Sequence, residues 1–376
     1  MPFPQLATPT GALLAACLFT FAPGGAHAVT ATKAKAQAAA TGDAPALPAY
    51  QADLSQTTVS GLSSGAFMAA QFAVAYSSTV TGAGIIAGGP YFCSGQPGSF
   101  PYIPYLTNAL GTCMNPDSAH VAPPVASELL RAANDFARAR LIDDTANLKR
   151  QRVYLFSGTK DQTVTRPVVE QVGKFYELAG TPTAQIRFVD TVNAGHAIIT
   201  DNNQDKACDV TASPFINDCD FVQARDILQH LYPDLLPSST TLTGKLISFN
   251  QRSFIRNSYS SMNNTAYAYI PKACDSESCR VHVVFHGCLQ TTQAIGNRFY
   301  TSTGYNQVAD ANKIIVLYPQ AEPSPVFPYN PKGCWDFWGY TSLNPLDPNF
   351  YTRSGTQMDA VKRMLDRLGA ARNSRQ

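Results

Sequence analysis

A mostly parallel α/β sheet, covered on both faces and built as a single domain, is the architecture predicted by the 376-residue chain. Three observations carry that expectation. Short runs rich in Val and Ile alternate with amphipathic stretches of helical length, the pattern of buried strands separated by covering helices. Neither an internal repeat nor a Ser/Thr-rich linker divides the chain beyond Leu47. A serine flanked by glycines stands where an apolar strand passes into an apolar helix. With 45% hydrophobic residues, the chain has ample material for one large core.

In chain order, the first element is the apolar stretch GALLAACLFTFAPGGAHA, which ends in small residues at alternate positions, Ala26-His27-Ala28. It predicts an export signal over residues 1–28. Pro23, Gly24 and Gly25 break it too early for a membrane span, which needs roughly 20 apolar residues. Leu14-Ala15-Ala16-Cys17 resembles a bacterial lipoprotein box, the minor alternative, but little apolar sequence precedes Cys17. Residues 29–48, VTATKAKAQAAATGDAPALP, lack apolar periodicity and predict a flexible linker. The catalytic domain is expected over 49–372. Its strands are read in GAGIIAGG, RVYLFSG, QIRFVDTV, RVHVVFHG and KIIVLYPQ, and its helices in PVASELLRAANDFARARLI, VVEQVGKFYELAG, NQVADAN and MDAVKRMLDRLGAAR.

Only 14% of residues are charged and the net charge is +2, so nothing offers nucleic acid a basic groove. Loss of Cys17 with the leader would leave eight of the nine cysteines, an even number that suits disulfides in an exported protein. Cys208–Cys219 and Cys274–Cys279 are the expected local bridges, each closing a small polar loop. Zinc is not expected at Cys274, Cys279, His282 and His286, because a strand over 280–285 separates the histidines from a compact ligand loop. No metal and no cofactor are predicted.

Gly61-Leu62-Ser63-Ser64-Gly65 fits G-x-S-x-G, a sharp strand-to-helix turn that presents a serine hydroxyl. A hydroxyl needs a base to become nucleophilic, and the base needs a carboxylate to fix its tautomer. His196, in the loop TVNAGHAI after a strand, is the candidate base; His230 sits in a helix-like segment and His120 in a polar loop. Asp161, just past the RVYLF strand, is the candidate acid. Asp190 is embedded in a strand and Asp201 lies close behind His196, which makes both weaker candidates. The order Ser63, Asp161, His196 is that of α/β-hydrolases.

An oxyanion hole in that fold needs an amide from a loop preceding the nucleophile, and nothing before Ser63 can supply it. RVHVVFHGCLQTT, a buried strand ending in His286-Gly287-Cys288, lies far downstream instead. A circular permutation reconciles the two, with the first hydrolase strands moved to the C-terminus.

The segments YAYIPKACDSESCRVHVVFHGCLQTT, IGNRFYTSTGYNQVADANKIIVLYPQ and GCWDFWGY, with the elbow VSGLSSGAFMA, resemble the esterase family of polyhydroxybutyrate depolymerases, in its single-domain permuted form. The resemblance implies hydrolysis of poly(3-hydroxybutyrate) or its oligomers by Ser63, His196 and Asp161, with the backbone N–H groups of Ser64 and Cys288 holding the oxyanion. It gives His286 a part in shaping the turn rather than the role of base, and leaves Cys288 free to bridge to Cys334. Trp335 and Trp338 are expected to touch polymer. A secreted or periplasmic monomer is expected. A feruloyl or acetyl-xylan esterase and a catalytically inactive granule-binding protein are the rival readings.

Overall fold

The computed structural model describes residues 44–96 and 104–372. The predicted leader, Cys17 and most of the predicted linker lie outside the described residues. Packing starts ahead of the predicted domain boundary: Leu47 is buried, the Pro45 carbonyl accepts from Asn250 N–H, and the Leu47 carbonyl accepts from Arg367.

Eleven strands are present among the described residues. They are β1 (Asp53–Leu62), β2 (Val80–Ile86), β3 (Arg152–Phe156), β4 (Ile186–Val189), β5 (Ile198–Thr200), β6 (Lys206–Ala207), β7 (Ile216–Asp218), β8 (Lys245–Asn250), β9 (Thr265–Ile270), β10 (Arg280–Phe285) and β11 (Ile314–Tyr318). Eight form the main sheet in the order β4-β3-β2-β1-β10-β11-β9-β8. It is parallel from β4 to β11, and β9 and β8 add antiparallel at one edge. The sheet is thus mostly parallel, as expected, with its antiparallel part confined to that edge. Thr-Ala-Tyr-Ala-Tyr-Ile of β9 alternates small and aromatic residues, a half-covered pattern that Val/Ile runs do not resemble. A separate three-stranded sheet, β5-β7-β6, was not anticipated; its strands are too short to give periodicity.

The covering helices include α1 (Ser64–Ala75), α2 (Pro104–Leu110), α3 (Ala126–Arg138), α4 (Arg166–Leu178) and α5 (Gln223–Leu231). Every residue of α1 is buried, as its all-round apolar sequence requires. Two short helices, α6 (Thr292–Ile295) and α7 (Arg298–Ser302), precede α8 (Tyr305–Asn312), and α9 (Thr356–Gly369) closes the chain.

The C-terminal end of α9 meets the start of β1. Tyr50 and Ala52 N–H both donate to the Leu368 carbonyl, and Gln51 N–H donates to Ala370. The last helix thus lies where a helix leading directly into β1 would lie. Counted from β8 through β11 and then β1 through β4, the strands stand in the sheet as 1-2-4-3-5-6-7-8. That is the hydrolase order with its chain cut before the nucleophile strand, the permutation inferred from the misplaced HGC segment.

Candidate active site

The centre of the site is the turn between β1 and α1. Ser63 sits at φ 58°, ψ −125°, a backbone region costly for a residue with a side chain and held here by its surroundings. Its N–H donates to Ile86 and its carbonyl accepts from Ala66 and Phe67. The turn is so tight that a Cβ on Gly61 would lie 2.3 Å from the Gly65 carbonyl oxygen, and one on Gly65 would lie 2.3 Å from that of Phe285. Those two glycines let the elbow press against the end of β10.

Asp161 follows β3 and His196 follows β4, as expected for loops beyond strand C-termini. The two loops are laced together: Thr159 N–H donates to Val192 and Lys160 N–H to Ala194, with Gly158 leaving no room for a side chain against Ala194. Asp161 Oδ1 accepts the N–H groups of Thr163 and Val164 at 2.7 and 3.0 Å. Its Oδ2 accepts from His196 Nδ1 at 2.8 Å, leaving the imidazole's Nε2 for other work. Both side chains are buried. The loop between β6 and β7 buttresses the histidine: His196 N–H donates to Thr211, Gly195 N–H to Cys208, and the Cys208–Cys219 disulfide closes this region.

The third component is the His286-Gly287-Cys288 turn after β10. His286 Nδ1–H donates to the Gly287 carbonyl at 2.7 Å and its Nε2 accepts Ala321 N–H at 3.1 Å. Both nitrogens are thus satisfied by a neutral ring, and burial pulls its pKa down to about 4. In a trans peptide the carbonyl and the following N–H point opposite ways, so the hold on Gly287 C=O also aims Cys288 N–H. Among the described residues, no carbonyl takes the N–H of Cys288 or of Ser64, the first residue of α1. Cys288 is bridged to Cys334.

These parts open on one cavity of about 260 Å³, lined by Ser63, His196 and Cys288 and otherwise mainly by apolar groups, among them Leu106, Leu110, Met114, Phe215, Leu289, Phe337 and Trp338. A wider polar cleft of about 520 Å³ shares none of these residues. The walls from α2 and Phe215 escaped the sequence reading, because nothing in a short apolar helix or a lone aromatic announces its neighbours.

No family model matches the chain. A poly(3-hydroxybutyrate) depolymerase of Delftia acidovorans is 41% identical over 86% of this chain, which spans only 62% of that protein's length. A polyhydroxybutyrate depolymerase of Talaromyces funiculosus is 36% identical over 82% of this chain and 88% of its own. The chain belongs to the polyhydroxybutyrate depolymerase family. The crystal structure of the PHB depolymerase from Penicillium funiculosum superposes with a TM-score of 0.75 at 34% identity, covering 86% of this chain and 98% of its own. A serine-to-alanine variant of a PHB depolymerase, complexed with an R3HB trimer, matches equally well at 33% identity, with the same coverage.

Within this depolymerase fold, one expected contact is corrected. Trp335 is fully buried, packed against Phe285 and His286, and takes no part in the cavity wall. Trp338 does line the cavity. The alternation arises from the turn after Cys334: Asp336, itself buried, accepts the N–H groups of Trp338, Gly339, Tyr340 and Thr341, which folds the CWDFWGY segment back on itself. Tyr340 turns inward and donates to the Cys334 carbonyl. Of the other candidates, Asp190 pairs with Arg166, Asp201 and His120 are exposed, and His230 contacts the Gln185 carbonyl. Both expected local disulfides form, as do Cys288–Cys334 and Cys93–Cys113. His282 is buried in β10, where no metal cluster exists among the described residues.

Proposed function

We propose that the chain is an exported serine esterase that cleaves poly(3-hydroxybutyrate) or its oligomers. The observation that carries this is the meeting, in one apolar cavity, of a strained serine, a histidine oriented by a buried carboxylate, and an uncommitted amide. Ser63 Oγ attacks the ester carbonyl and passes its proton to His196 Nε2. Asp161 keeps the proton of Nδ1 in place and stabilises the imidazolium that forms. Negative charge on the former carbonyl oxygen is received by the N–H groups of Ser64 and Cys288, helped by the N-terminus of α1. Collapse expels the alcohol end of the cleaved chain with the proton from His196, and water then releases the acyl group by the same steps in reverse. Ser63 and His196 both line the cavity, and the proton passes between them as the ester is attacked.

The mainly apolar walls favour an aliphatic hydroxyacid ester over a sugar ester, whose hydroxyls would need polar partners. All the groups invoked come from one chain, in keeping with a monomer. Four disulfides support an oxidising destination, with export by the leader over residues 1–28.

The test compares the mature wild type with Ser63→Ala on an amorphous polymer suspension, following turbidity and acid release. Clearing by wild type alone is the expected outcome. A folded wild type that hydrolyses short acyl esters but leaves the polymer turbid would favour the carbohydrate-esterase reading. Clearing that persists in Ser63→Ala would remove the serine from the mechanism.

A further inference from the structure

Gln290 lies three residues beyond Gly287, and the reaction as written leaves it without a task. It is buried, at 1% exposure, and its amide is fully used. Oε1 accepts the Gly287 N–H at 2.7 Å, while Nε2 donates to the carbonyls of Pro214 at 2.9 Å and Phe215 at 3.2 Å. The first contact lies in the oxyanion turn. The other two lie in the loop that carries the Phe215 wall, where the Phe215 carbonyl also accepts Ile198 N–H, two residues past His196. Phe215 stands edge-on to the His196 ring, with centroids 6.5 Å apart.

We infer that Gln290 is a positioning residue that sets the Cys288 amide and the His196 loop in register with each other. The inference rests on the serine-esterase reading above. By occupying Gly287 N–H, the side chain leaves Cys288 as the donor of this turn that faces the cavity. One face of the Gly287–Cys288 peptide run is then fixed by Gln290 and the Gly287 carbonyl by His286. Only an amide offers one acceptor and two donors on a single plane of this length. A thioether of the same length offers no donor and only a weak acceptor. An ionised carboxylate would turn acceptor oxygens toward two carbonyl oxygens in a buried site.

This role predicts damage that appears in the transition state and not in ground-state binding. The readout uses Gln290→Met and Gln290→Glu with a soluble nitrophenyl butyrate, together with a trifluoromethyl ketone inhibitor whose serine adduct carries an oxyanion. We expect kcat to fall about 10- to 100-fold, KM to stay within about twofold, and ketone affinity to fall by the same factor as kcat. The Glu variant should recover relative to wild type as pH falls from about 8 to about 5, because a protonated carboxyl can again donate and accept. Folded variants with wild-type kcat, or with ketone affinity unchanged while kcat falls, would overturn the inference. Should Gln290→Met fail to fold, the ketone affinity of the folded Glu variant decides, since a role confined to packing would not lower it in step with kcat. Ser63→Ala run in parallel separates the two levels: residual activity there sinks the esterase reading, whereas an inactive Ser63→Ala beside wild-type-like Gln290 variants sinks only this inference.

Discussion

The molecule contains two neighbouring serine–histidine pairs, one opening on the cavity and one packed beneath it. Below the site, Ser60 Oγ contacts His282 Nε2 at 2.8 Å, Thr58 Oγ1 contacts His282 Nδ1 at 2.6 Å, and Tyr305 OH reaches Ser60 at 2.7 Å. Every member is buried, and burial pulls the His282 pKa down to about 3. Above it, Ser63 and His196 line the cavity with no hydrogen bond between them among the described residues, and Asp161 holds the ring from behind. By hydrogen-bond distance alone the lower pair is the better formed. It lacks a carboxylate to stabilise an imidazolium and an opening through which an ester could enter. A short serine–histidine contact is thus no measure of nucleophilicity; access and a charge partner decide.

The comparison is sharpened most directly by mutating the cavity histidine and a buried neutral one, His286 of the oxyanion turn. His196→Ala should lower kcat on a soluble ester by on the order of 10⁵–10⁶, the scale seen when a triad base is lost. His286→Ala should cost only about 10²-fold, by removing the shorter of the two hydrogen bonds that hold the Gly287 carbonyl, the other being Gln290 N–H at 3.3 Å, and so loosening the direction of the Cys288 amide. Steady-state kinetics on both variants, with near-ultraviolet circular dichroism as the check of folding, measure the contrast. Equal losses in two folded proteins would mean that His286 does more than orient a peptide.

The tryptophans carry the same contrast on a smaller scale. Trp335→Ala opens a hole in the packed layer and should destabilise the fold by about 3–5 kcal/mol, with little change in the activity of what remains folded. Trp338→Ala should leave stability within about 1 kcal/mol and weaken the engagement of longer oligomers. Urea midpoints and oligomer-length kinetics read the two effects. A stability loss confined to Trp338→Ala would invert the assignment of layers.

Much of this division was legible in the chain. Ser63 announced itself because the elbow needs glycine at 61 and 65, a constraint that backbone crowding imposes on sequence. Asp161 and His196 were visible because each directly follows a Val/Ile-rich or amphipathic strand, and the displaced HGC turn disclosed the permutation. What stayed hidden was orientation. Trp335 and Trp338 are three residues apart in one aromatic run, and only the turn built on Asp336 decides which faces the cavity. The β5–β7 sheet and Gln290 were hidden for a related reason: their partners lie far away in sequence, and strands of two or three residues carry no period.

The smallest expected effect lies in the pH dependence of stability, and it isolates the buried layer. Burial pulls His282 down to about 3 and His286 down to about 4 in the folded chain, from an ordinary 6.5. A depressed folded pKa means that the unfolded chain binds the proton first. Their contribution is therefore complete above about pH 6.5 and is lost as pH falls toward 4, at a slope of up to about 1.4 kcal/mol per pH unit for each ring. His230, lowered chiefly by burial, adds in the same direction. Glu322 and Asp336, whose carboxyls burial pushes up, oppose it as they take up protons in the folded state. Asp53, Asp234 and Asp310, lowered from 3.8, act only below this window. Replacing His282 by Asn removes one titrating ring, so the fall in unfolding free energy between about pH 6.5 and 5 should become shallower by up to about 1.4 kcal/mol per unit. An unchanged slope in urea titrations at stepped pH would mean that the lower imidazole is charged in the folded protein. The contrast between an open, carboxylate-backed histidine and a sealed neutral one would then fail.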